Sequence, residues 1–346
     1  MLEPDLRATI ADLPKIELHR HLEGSLRLDT LVDIAREHGI EMPDYDIETL
    51  RPFVQMMPNE PRTAKHFLSK FTMLRQFYRT IEIVQRITRE IVEDAAKDNV
   101  RYMELRFTPK ALCNISDCTL EEIVPLVCDA GNETAEEHGI IVRYIVSMNR
   151  HEPVSLGESV LRAAINNQHK GVVGLDLAGN EADFSCIPFR SLFHRAKAAG
   201  LGITIHAGEW AGAASVWDAI GNLGASRVGH GISVLEDPAL VQVLVDREIT
   251  LEVCPSSNYL SGIVDSLEDH PLQALTRRHV LTTLNTDDPL LCNITLSDEI
   301  ALVMAHMDIT LDDIKQYMLR AARAAFLPPS EREDLIRQFQ GFMAAI

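Results

Sequence analysis

The sequence has few features of a nucleic-acid-binding or membrane protein. Its 346 residues include 33 Lys and Arg against 51 Asp and Glu, which gives a formal net charge of −18. This shortage of positive charge argues against binding to nucleic acids, which require a concentrated basic surface. No apolar stretch approaches the roughly 20 residues of a membrane span, and the first twenty residues lack a signal-peptide pattern. We therefore expect a soluble, cytoplasmic protein with neither a nucleic-acid nor a membrane partner.

Cysteine is scarce, and its spacing has no Cys-x-x-Cys pair. In a chain of this length, six scattered cysteines do not form a dense disulfide framework. Free cysteine is among the most buried residue types in folded proteins. Buried, reduced thiols are therefore expected at positions 113, 118, 128, 186, 254 and 292.

The sequence also lacks the Gly-x-Gly-x-x-Gly of an open dinucleotide-binding sheet. Instead, β-branched runs alternate with amphipathic helical segments, a pattern typical of βαβ units. The predicted strands are 15–21, 100–107, 140–147, 172–177, 202–206, 227–230, 249–254 and 280–285. Eight such units indicate an α/β fold, a closed (β/α)8 TIM barrel. No Pro-, Gly- or Ser-rich linker interrupts it, so one domain spanning residues 1–346 is predicted.

Extra helices are predicted outside the regular barrel units. The long interval between the first two strands has room for more than one helix, and residues 296–307, 311–326 and 330–344 are predicted to be helical. Segment 63–78 places Phe67, Leu68, Phe71 and Leu74 at helical spacing. This apolar face either covers the mouth of the barrel or packs on its wall.

Polar side chains collect where the predicted strands end, which is where TIM-barrel enzymes place their active sites. The first strand ends in His19 and His21, the fourth in Asp176 to Glu181, the fifth in His206 to Glu209, the sixth in His230, the seventh in Cys254 to Asn258 and the eighth in Asn285 to Pro289.

A metal site is the strongest chemical prediction from these clusters. His19 and His21 lie two residues apart, so on a strand both imidazoles point to the same face. A third imidazole from His206 and a carboxylate from Asp287 give the ligands of a catalytic zinc site with room for water, although these ligand types also suit iron or manganese. Glu23 shares the parity of the pair and could be a ligand, a substrate contact or a bystander.

Three further residues have both a catalytic and a structural interpretation. Glu209 follows His206 by three residues and could face the cavity, or it could be an acid at a helix N-terminus. A histidine at a strand end is often a hydrogen-bonded structural residue, so His230 is interpreted as functional only together with the neighbouring polar residues of the predicted site. Asp288 belongs either to the polar wall of a site or to an Asp-Pro turn with a solvated acid.

Other hydrolase patterns are missing. His151 and Glu152 are followed by Pro153, and no second histidine completes a His-Glu-x-x-His zinc-protease motif. Ser215 and Ser233 lack the Gly-x-Ser-x-Gly frame of a serine hydrolase. The Pro-Cys-x-x-Cys pattern of cytidine-deaminase zinc sites is also absent.

As a set, six segments resemble the adenosine deaminase family of the amidohydrolase superfamily. They are LHRHLEGSLR (18–27), LAGNE (177–181), HAGE (206–209), RVGHG (227–231), EVCPSSN (252–258) and LNTDDP (284–289), and their order and spacing match along nearly the whole chain. The resemblance implies hydrolytic deamination of adenosine or 2′-deoxyadenosine to inosine or 2′-deoxyinosine plus ammonia, with zinc-bound hydroxide attacking purine C6. It implies one Zn²⁺ per chain, because no lysine ends the fourth strand as in carbamylated binuclear members.

The resemblance also implies a role for each matching residue. It assigns the zinc to His19, His21, His206 and Asp287. It makes Glu209 the acid that protonates the purine ring, which requires a pKa raised by a dry pocket or a neighbouring acid. His230 and Asp288 would orient the water and help to deprotonate it. The substrate contacts implied are His21, Glu23, the backbone of Gly179 and Asp288, under an apolar gate carrying Phe67, Leu68 and Phe71.

Glu23 departs from the pattern of adenosine deaminases, which carry Asp at this position. The Glu form resembles adenine deaminases and enzymes acting on 6-aminodeoxyfutalosine. The alternative substrate is therefore another 6-aminopurine, either free adenine or a 5′-modified nucleoside. A catalytically silent nucleoside-binding protein is a third hypothesis, and the presence of every proposed chemical residue argues against it.

Overall fold

A computed structural model describes residues 3–113 and 118–345. Its eight strands are parallel and form one sheet, in which β1 to β8 follow one another in chain order. The strands are β1 (Lys15–His21), β2 (Val100–Phe107), β3 (Ile141–Asn149), β4 (Val172–Ala178), β5 (Gly202–Ala207), β6 (Arg227–His230), β7 (Thr250–Val253) and β8 (Leu281–Leu284). The eight predicted strands are thus confirmed.

Helices connect successive strands throughout the described part of the chain. They are α1 (Pro4–Asp12), α2 (Leu28–His38), α3 (Ile47–Val54), α4 (Ala64–Leu74), α5 (Ile81–Lys97), α6 (Pro109–Leu112), α7 (Leu120–His138), α8 (Val154–Asn166), α9 (Arg190–Ala198), α10 (Ala213–Gly221), α11 (Pro238–Asp246), α12 (Pro255–Leu260), α13 (Leu272–Arg277), α14 (Pro289–Cys292), α15 (Leu296–His306), α16 (Leu311–Ala324) and α17 (Pro329–Ala345). The extra helices predicted before β2 and after β8 are confirmed. Within the described ranges, no helix has both the length and the apolar character needed to cross a membrane.

The barrel closes between β8 and β1 through residues that follow β8. His21 N–H donates to the Asp287 carbonyl at 2.8 Å, and Asp287 N–H donates to the His19 carbonyl at 3.0 Å. The side chain of Asn285 accepts from the amides of Leu18 and His19. The (β/α)8 fold is therefore confirmed. The hydrogen bonds that close the barrel involve His19, His21 and Asp287, so they hold three of the candidate metal ligands close together.

Strand β1 is irregular around its first histidine, His19. Its register with β2 shifts between Glu17 and Arg20, as at a β-bulge, and such bulges re-aim side chains near active sites. His19 and His21 still lie together, with ring centroids 5.2 Å apart. The strand ends at His21 and a short 3₁₀ turn follows, so the parity argument that grouped Glu23 with the two histidines does not apply.

The interior of the barrel is charged rather than purely apolar. Arg227 donates to Glu104 and to Glu252, each at 2.6 Å, and Arg106 donates to Glu252 at 2.6 Å and lies 3.6 Å from Asp176. All five side chains are buried. Removing one partner from such a buried network typically costs about 3–5 kcal/mol because a buried charge is left uncompensated.

All six cysteines are unbridged, as predicted, and the predicted burial is confirmed for four of them, Cys128, Cys186, Cys254 and Cys292. The predicted burial is wrong for Cys113, directly after α6, and Cys118, just before α7, which are only partly buried and have their Sγ atoms 3.8 Å apart. The residues between these two cysteines lie outside the described ranges.

Candidate active site

The predicted site residues converge at the C-terminal ends of the strands. One pocket there is lined by eight of the nine: His21, Glu23, Gly179, His206, Glu209, His230, Asp287 and Asp288. The ninth, His19, is fully buried directly beside Asp287. The alternation of strands and helices brings residues from five strand ends into one cavity, as expected for a TIM barrel.

Helix α4 forms part of the wall of this pocket. Phe67, Leu68 and Phe71 line the pocket, whereas Leu74 is fully buried in the core. The apolar face therefore packs into the core at one position and borders the pocket at three others. Thr63 begins the helix by accepting a hydrogen bond from the amide of His66.

A cluster of imidazoles surrounds the carboxylate of Asp287. Its Oδ1 lies 3.1 Å from His19 Nε2 and 3.3 Å from His21 Nε2. His21 Nε2 is in turn 3.2 Å from His206 Nε2. The hydroxyl of Ser257 donates to the other carboxylate oxygen at 2.6 Å, which fixes the orientation of the carboxylate.

The donor set fits a divalent metal ion. His19 Nδ1 donates to Glu252 at 2.8 Å and His206 Nδ1 donates to Asp176 at 3.0 Å. These bonds place the proton of each ring on Nδ1 and leave Nε2 as a lone pair, which is the usual arrangement of metal-binding histidines. His19 Nε2 is buried, faces the carboxylate of Asp287 and has no hydrogen-bond partner in the described structure, so this lone pair could bind a metal ion.

Two histidines compete for the fourth ligand position. One compact group, whose ligand atoms all lie within 4.8 Å of one another, contains His230 instead of His21, together with His19, His206 and Asp287. However, the closest approach of His230 Nε2 to Asp287 is 3.9 Å, whereas that of His21 Nε2 is 3.3 Å. The shorter distances around His21 favour the predicted ligand set.

Strained and close-packed backbone supports this part of the site. His230 and Asp287 have left-handed backbone φ values of 59° and 64°, which are uncommon for residues other than glycine and concentrate at functional sites. At Gly24, an added Cβ atom would lie 1.8 Å from Asp288 Oδ1. Only glycine at this position lets Asp288 approach the turn after β1.

Burial and neighbouring charges separate the acids of the pocket into two kinds. Burial, together with the charges of Asp287 and Glu181, raises the pKa of Glu209 well above its usual range. Burial and the charge of Asp287 also raise the pKa of Asp288. Burial alone would raise the pKa of Asp287 as well, but the close approach of His19 and the other nearby imidazoles hold it well below its usual range. A raised pKa at Glu209 and a lowered pKa at Asp287 are the directions that an acid and a metal ligand at these two positions would require.

Glu181 organises the turn that carries Glu209. Its carboxylate accepts four consecutive backbone amides, at 2.5 Å from Gly208, 3.0 Å from Glu209, 2.9 Å from Trp210 and 3.2 Å from Ala211. The side chain is buried. This carboxylate therefore fixes the path of the backbone at Glu209 and also adds negative charge beside it.

Replacing Glu181 by Gln is expected to lower kcat by roughly 100-fold, because a displacement of about 1 Å at a reacting group has that effect. Gln has one acceptor oxygen for the four amides, and its NH₂ group faces donors. Steady-state kinetics measure the loss. Asp183→Asn, which neutralises an exposed acid two residues away, is the matched control and should keep wild-type kcat. Equal kcat in both variants would contradict the role given to Glu181.

Several residues that support the site were not singled out in the sequence. Arg106 and Glu252 lie inside strands, and a charged residue within an otherwise apolar β run was the signal that could have identified them. Asp176 and Glu181 were recognised as part of the fourth cluster but received no role. The contact between Asn258 and His230 spans two βα units and has no local signal.

Comparisons with known proteins agree with this geometry. The family model described as adenosine deaminase matches residues 14–341. An adenosine deaminase from Klebsiella pneumoniae subsp. pneumoniae is 35% identical over 331 residues, which cover 95% of this chain and 98% of that protein.

Two solved structures are similar over the whole barrel. An adenine deaminase from Arthrobacter aurescens superposes with a TM-score of 0.87 and 27% identity, over 96% of this chain and 99% of that one. An amidohydrolase from Burkholderia ambifaria, solved with bound zinc, has a TM-score of 0.88 and 26% identity, over 100% of this chain and 96% of that one.

Proposed function

Because this chain belongs to the adenosine deaminase family and is a hydrolytic deaminase, we propose that it converts adenosine or 2′-deoxyadenosine to inosine or 2′-deoxyinosine with release of ammonia. The observation that carries the proposal is the placement of a buried acid of raised pKa, Glu209, in the same pocket as the imidazole and carboxylate cluster. The 35% identity to an adenosine deaminase over 95% of the chain supports adenosine as the substrate.

We assign one Zn²⁺ to His19, His21, His206 and Asp287. The unpartnered Nε2 of His19 and the Nδ1 bonds of His19 and His206 support this assignment. Imidazole and carboxylate ligands without thiolates suit zinc, and the similar amidohydrolase was solved with zinc. When bound, the ion supplies a water of lowered pKa and screens the negative charge that develops at the attacked carbon.

The protein side chains divide the remaining work. Burial raises the pKa of Glu209, which favours the protonated carboxyl group, and Glu209 delivers this proton to a purine ring nitrogen, which makes C6 electrophilic. His230, whose Nε2 lies 3.5 Å from Glu209 Oε2, and Asp288 line the same pocket and orient the attacking water. Gly179 has a left-handed φ of 90° and no side chain, so its backbone can approach the purine closely.

A panel of 6-aminopurines tests the substrate. The zinc-replete protein should release ammonia from adenosine and 2′-deoxyadenosine with a higher kcat/KM than from adenine or a 5′-modified nucleoside. A higher kcat/KM for adenine or the 5′-modified compound would contradict the proposal and support the second candidate.

That second candidate, a deaminase of another 6-aminopurine, is favoured by Glu23. Its Oε1 accepts the amide of Thr108 at 2.6 Å, while Oε2 is buried in the pocket wall without a partner in the described structure. Burial raises the pKa of Glu23 to about 7. This carboxyl group is therefore available to a substrate, and the similar adenine deaminase makes free adenine the main alternative.

Replacing Glu23 by Gln distinguishes the two candidates. If Oε2 binds the ribose, the variant should lose about 10- to 100-fold in kcat/KM for adenosine, the effect of one hydrogen bond to a charged group. Adenine, which has no ribose, should be turned over at an unchanged rate. Gln retains the oxygen that accepts from Thr108, so the turn after β1 is kept. A larger loss for adenine than for adenosine would contradict the ribose contact.

A further inference from the structure

A chain of buried hydrogen bonds leads away from His230 into the protein. Asn258 Nδ2 lies 3.1 Å from His230 Nδ1, and Asn258 Oδ1 lies 3.2 Å from His270 Nε2. The backbone amide of Leu272 lies 3.1 Å from His270 Nδ1. Asn258 and His270 are buried, and neither lines the pocket.

The backbone amide at the far end fixes the direction of the whole chain. Leu272 N–H can only donate, so His270 Nδ1 must be an acceptor without a proton. Burial lowers the pKa of His270 to about 3, so the ring is neutral and its single proton lies on Nε2. That proton is donated to Asn258 Oδ1, which leaves the amide NH₂ to face His230.

The same logic then sets the state of His230. Asn258 Nδ2 donates to His230 Nδ1, so this nitrogen is an acceptor. The proton of neutral His230 therefore lies on Nε2, which points into the pocket, 3.5 Å from Glu209 Oε2 and 3.9 Å from Asp287 Oδ2. Reversing the Asn258 amide would require a proton on His270 Nδ1, where it would face the proton of the Leu272 amide.

We propose that Asn258 and His270 are positioning residues that hold His230 in the tautomer protonated on Nε2, so that His230 acts in the site as a hydrogen-bond donor. The effect on adenosine turnover that we expect from this positioning rests on the proposed function. The proton of His230 thus lies on Nε2, whereas the carboxylate partners of His19 and His206 place the protons of these rings on Nδ1. The amide partner thus separates a water-orienting histidine from the metal-binding histidines.

The tautomer refines the role given to His230. A donor on Nε2 orients a water molecule through the lone pairs of its oxygen. The same nitrogen has no lone pair with which to bind a metal or to accept a proton. The chain therefore supports the orienting part of the role assigned to His230 and opposes proton uptake at Nε2.

The test is the ¹⁵N spectrum of the histidine rings in zinc-loaded protein labelled with ¹⁵N-histidine. Signals of His230 are assigned by their loss in His230→Ala. The wild-type protein should show a protonated, pyrrole-type Nε2 and a pyridine-type Nδ1. His270→Gln should give the same pattern, because its amide can donate to Asn258 from nearly the position of Nε2. His270→Leu should show a second tautomer, because Asn258 is then free to rotate.

Asn258→Asp is the inverse variant, and it is informative even if His270→Leu does not fold. A carboxylate accepts from Nδ1–H, so the proton should move to Nδ1 of His230. Asn258→Asp and His270→Leu should lower kcat for adenosine by about 10- to 100-fold, as expected when a reacting group is misaligned, whereas His270→Gln should stay close to wild type.

A protonated Nδ1 in the wild-type protein would overturn the proposal. So would an unchanged His230 pattern in Asn258→Asp. Because the spectrum is recorded without substrate, a lack of adenosine turnover would contradict the proposed function and leave the tautomer result standing. Wild-type kcat in a variant whose tautomer has changed would show that the positioning has no catalytic consequence.

Discussion

Replacing Glu209 by Gln should lower kcat for adenosine by about 100- to 10,000-fold, the range contributed by a positioned general acid. Glu209 is buried, and burial together with Asp287 and Glu181 raises its pKa, which favours the protonated form of the carboxyl group. Gln has the same shape and no proton of comparable acidity. An aromatic amine leaves poorly until the ring nitrogen is protonated, so the chemical step should be slowed directly.

The zinc content of Glu209→Gln and the activity of a matched control variant show whether the loss of kcat comes from the acid itself. Glu209→Gln should retain zinc, since Glu209 is not among the proposed ligands. Glu236→Gln, at an exposed position outside the pocket, should keep wild-type kcat. A kcat near wild type in Glu209→Gln would contradict its role as the acid, and loss of zinc would show that Glu209 serves the metal instead.

The second large effect separates the two candidate fourth ligands. His21→Ala should lose most of its zinc and at least about 1000-fold in kcat, because the metal supplies several kcal/mol to the transition state. His230→Ala should keep close to the wild-type zinc content while losing activity. The expected difference follows from distance, since His21 Nε2 lies 3.3 Å from Asp287 and His230 Nε2 lies 3.9 Å away, and from the proton that Asn258 places on His230 Nε2.

Zinc content measured by elemental analysis of the two purified variants decides the assignment. About one zinc per chain in wild type and His230→Ala, with much less in His21→Ala, is the expected result for a four-ligand site. The reverse order would show that the ion is bound by the compact group containing His230.

The sequence was sufficient to predict the barrel because its signals are local. Each strand is a short β-branched run, and each connecting helix shows its own apolar periodicity. The site followed from topology, since the ends of parallel strands meet at one face of a barrel. His19 and Asp287 could therefore be placed together although they are far apart in the chain.

What the sequence did not reveal depends on contacts between distant elements. The bulge in β1 arises where the amides of Leu18 and His19 both bond to Asn285, and no local pattern signals it. The hydrogen bonds that set the proton positions of the imidazoles depend on Glu252 in β7 and Asn258 in α12, which are distant in the chain from His19 and His230. A carboxylate that accepts from Nδ1 leaves Nε2 with a lone pair, whereas an amide that donates to Nδ1 leaves the proton on Nε2. Which partner a histidine has can be identified only from the folded structure.

The most direct test of the account is a single assay of adenosine with the purified, zinc-replete protein, in which ammonia and inosine are both quantified. If the protein is a zinc-dependent adenosine deaminase, the two products should appear in equal amounts. Removal of zinc by a chelator should abolish both, and restoring zinc should recover both. Unchanged adenosine in the presence of zinc, or equal turnover after the metal has been removed, would contradict it.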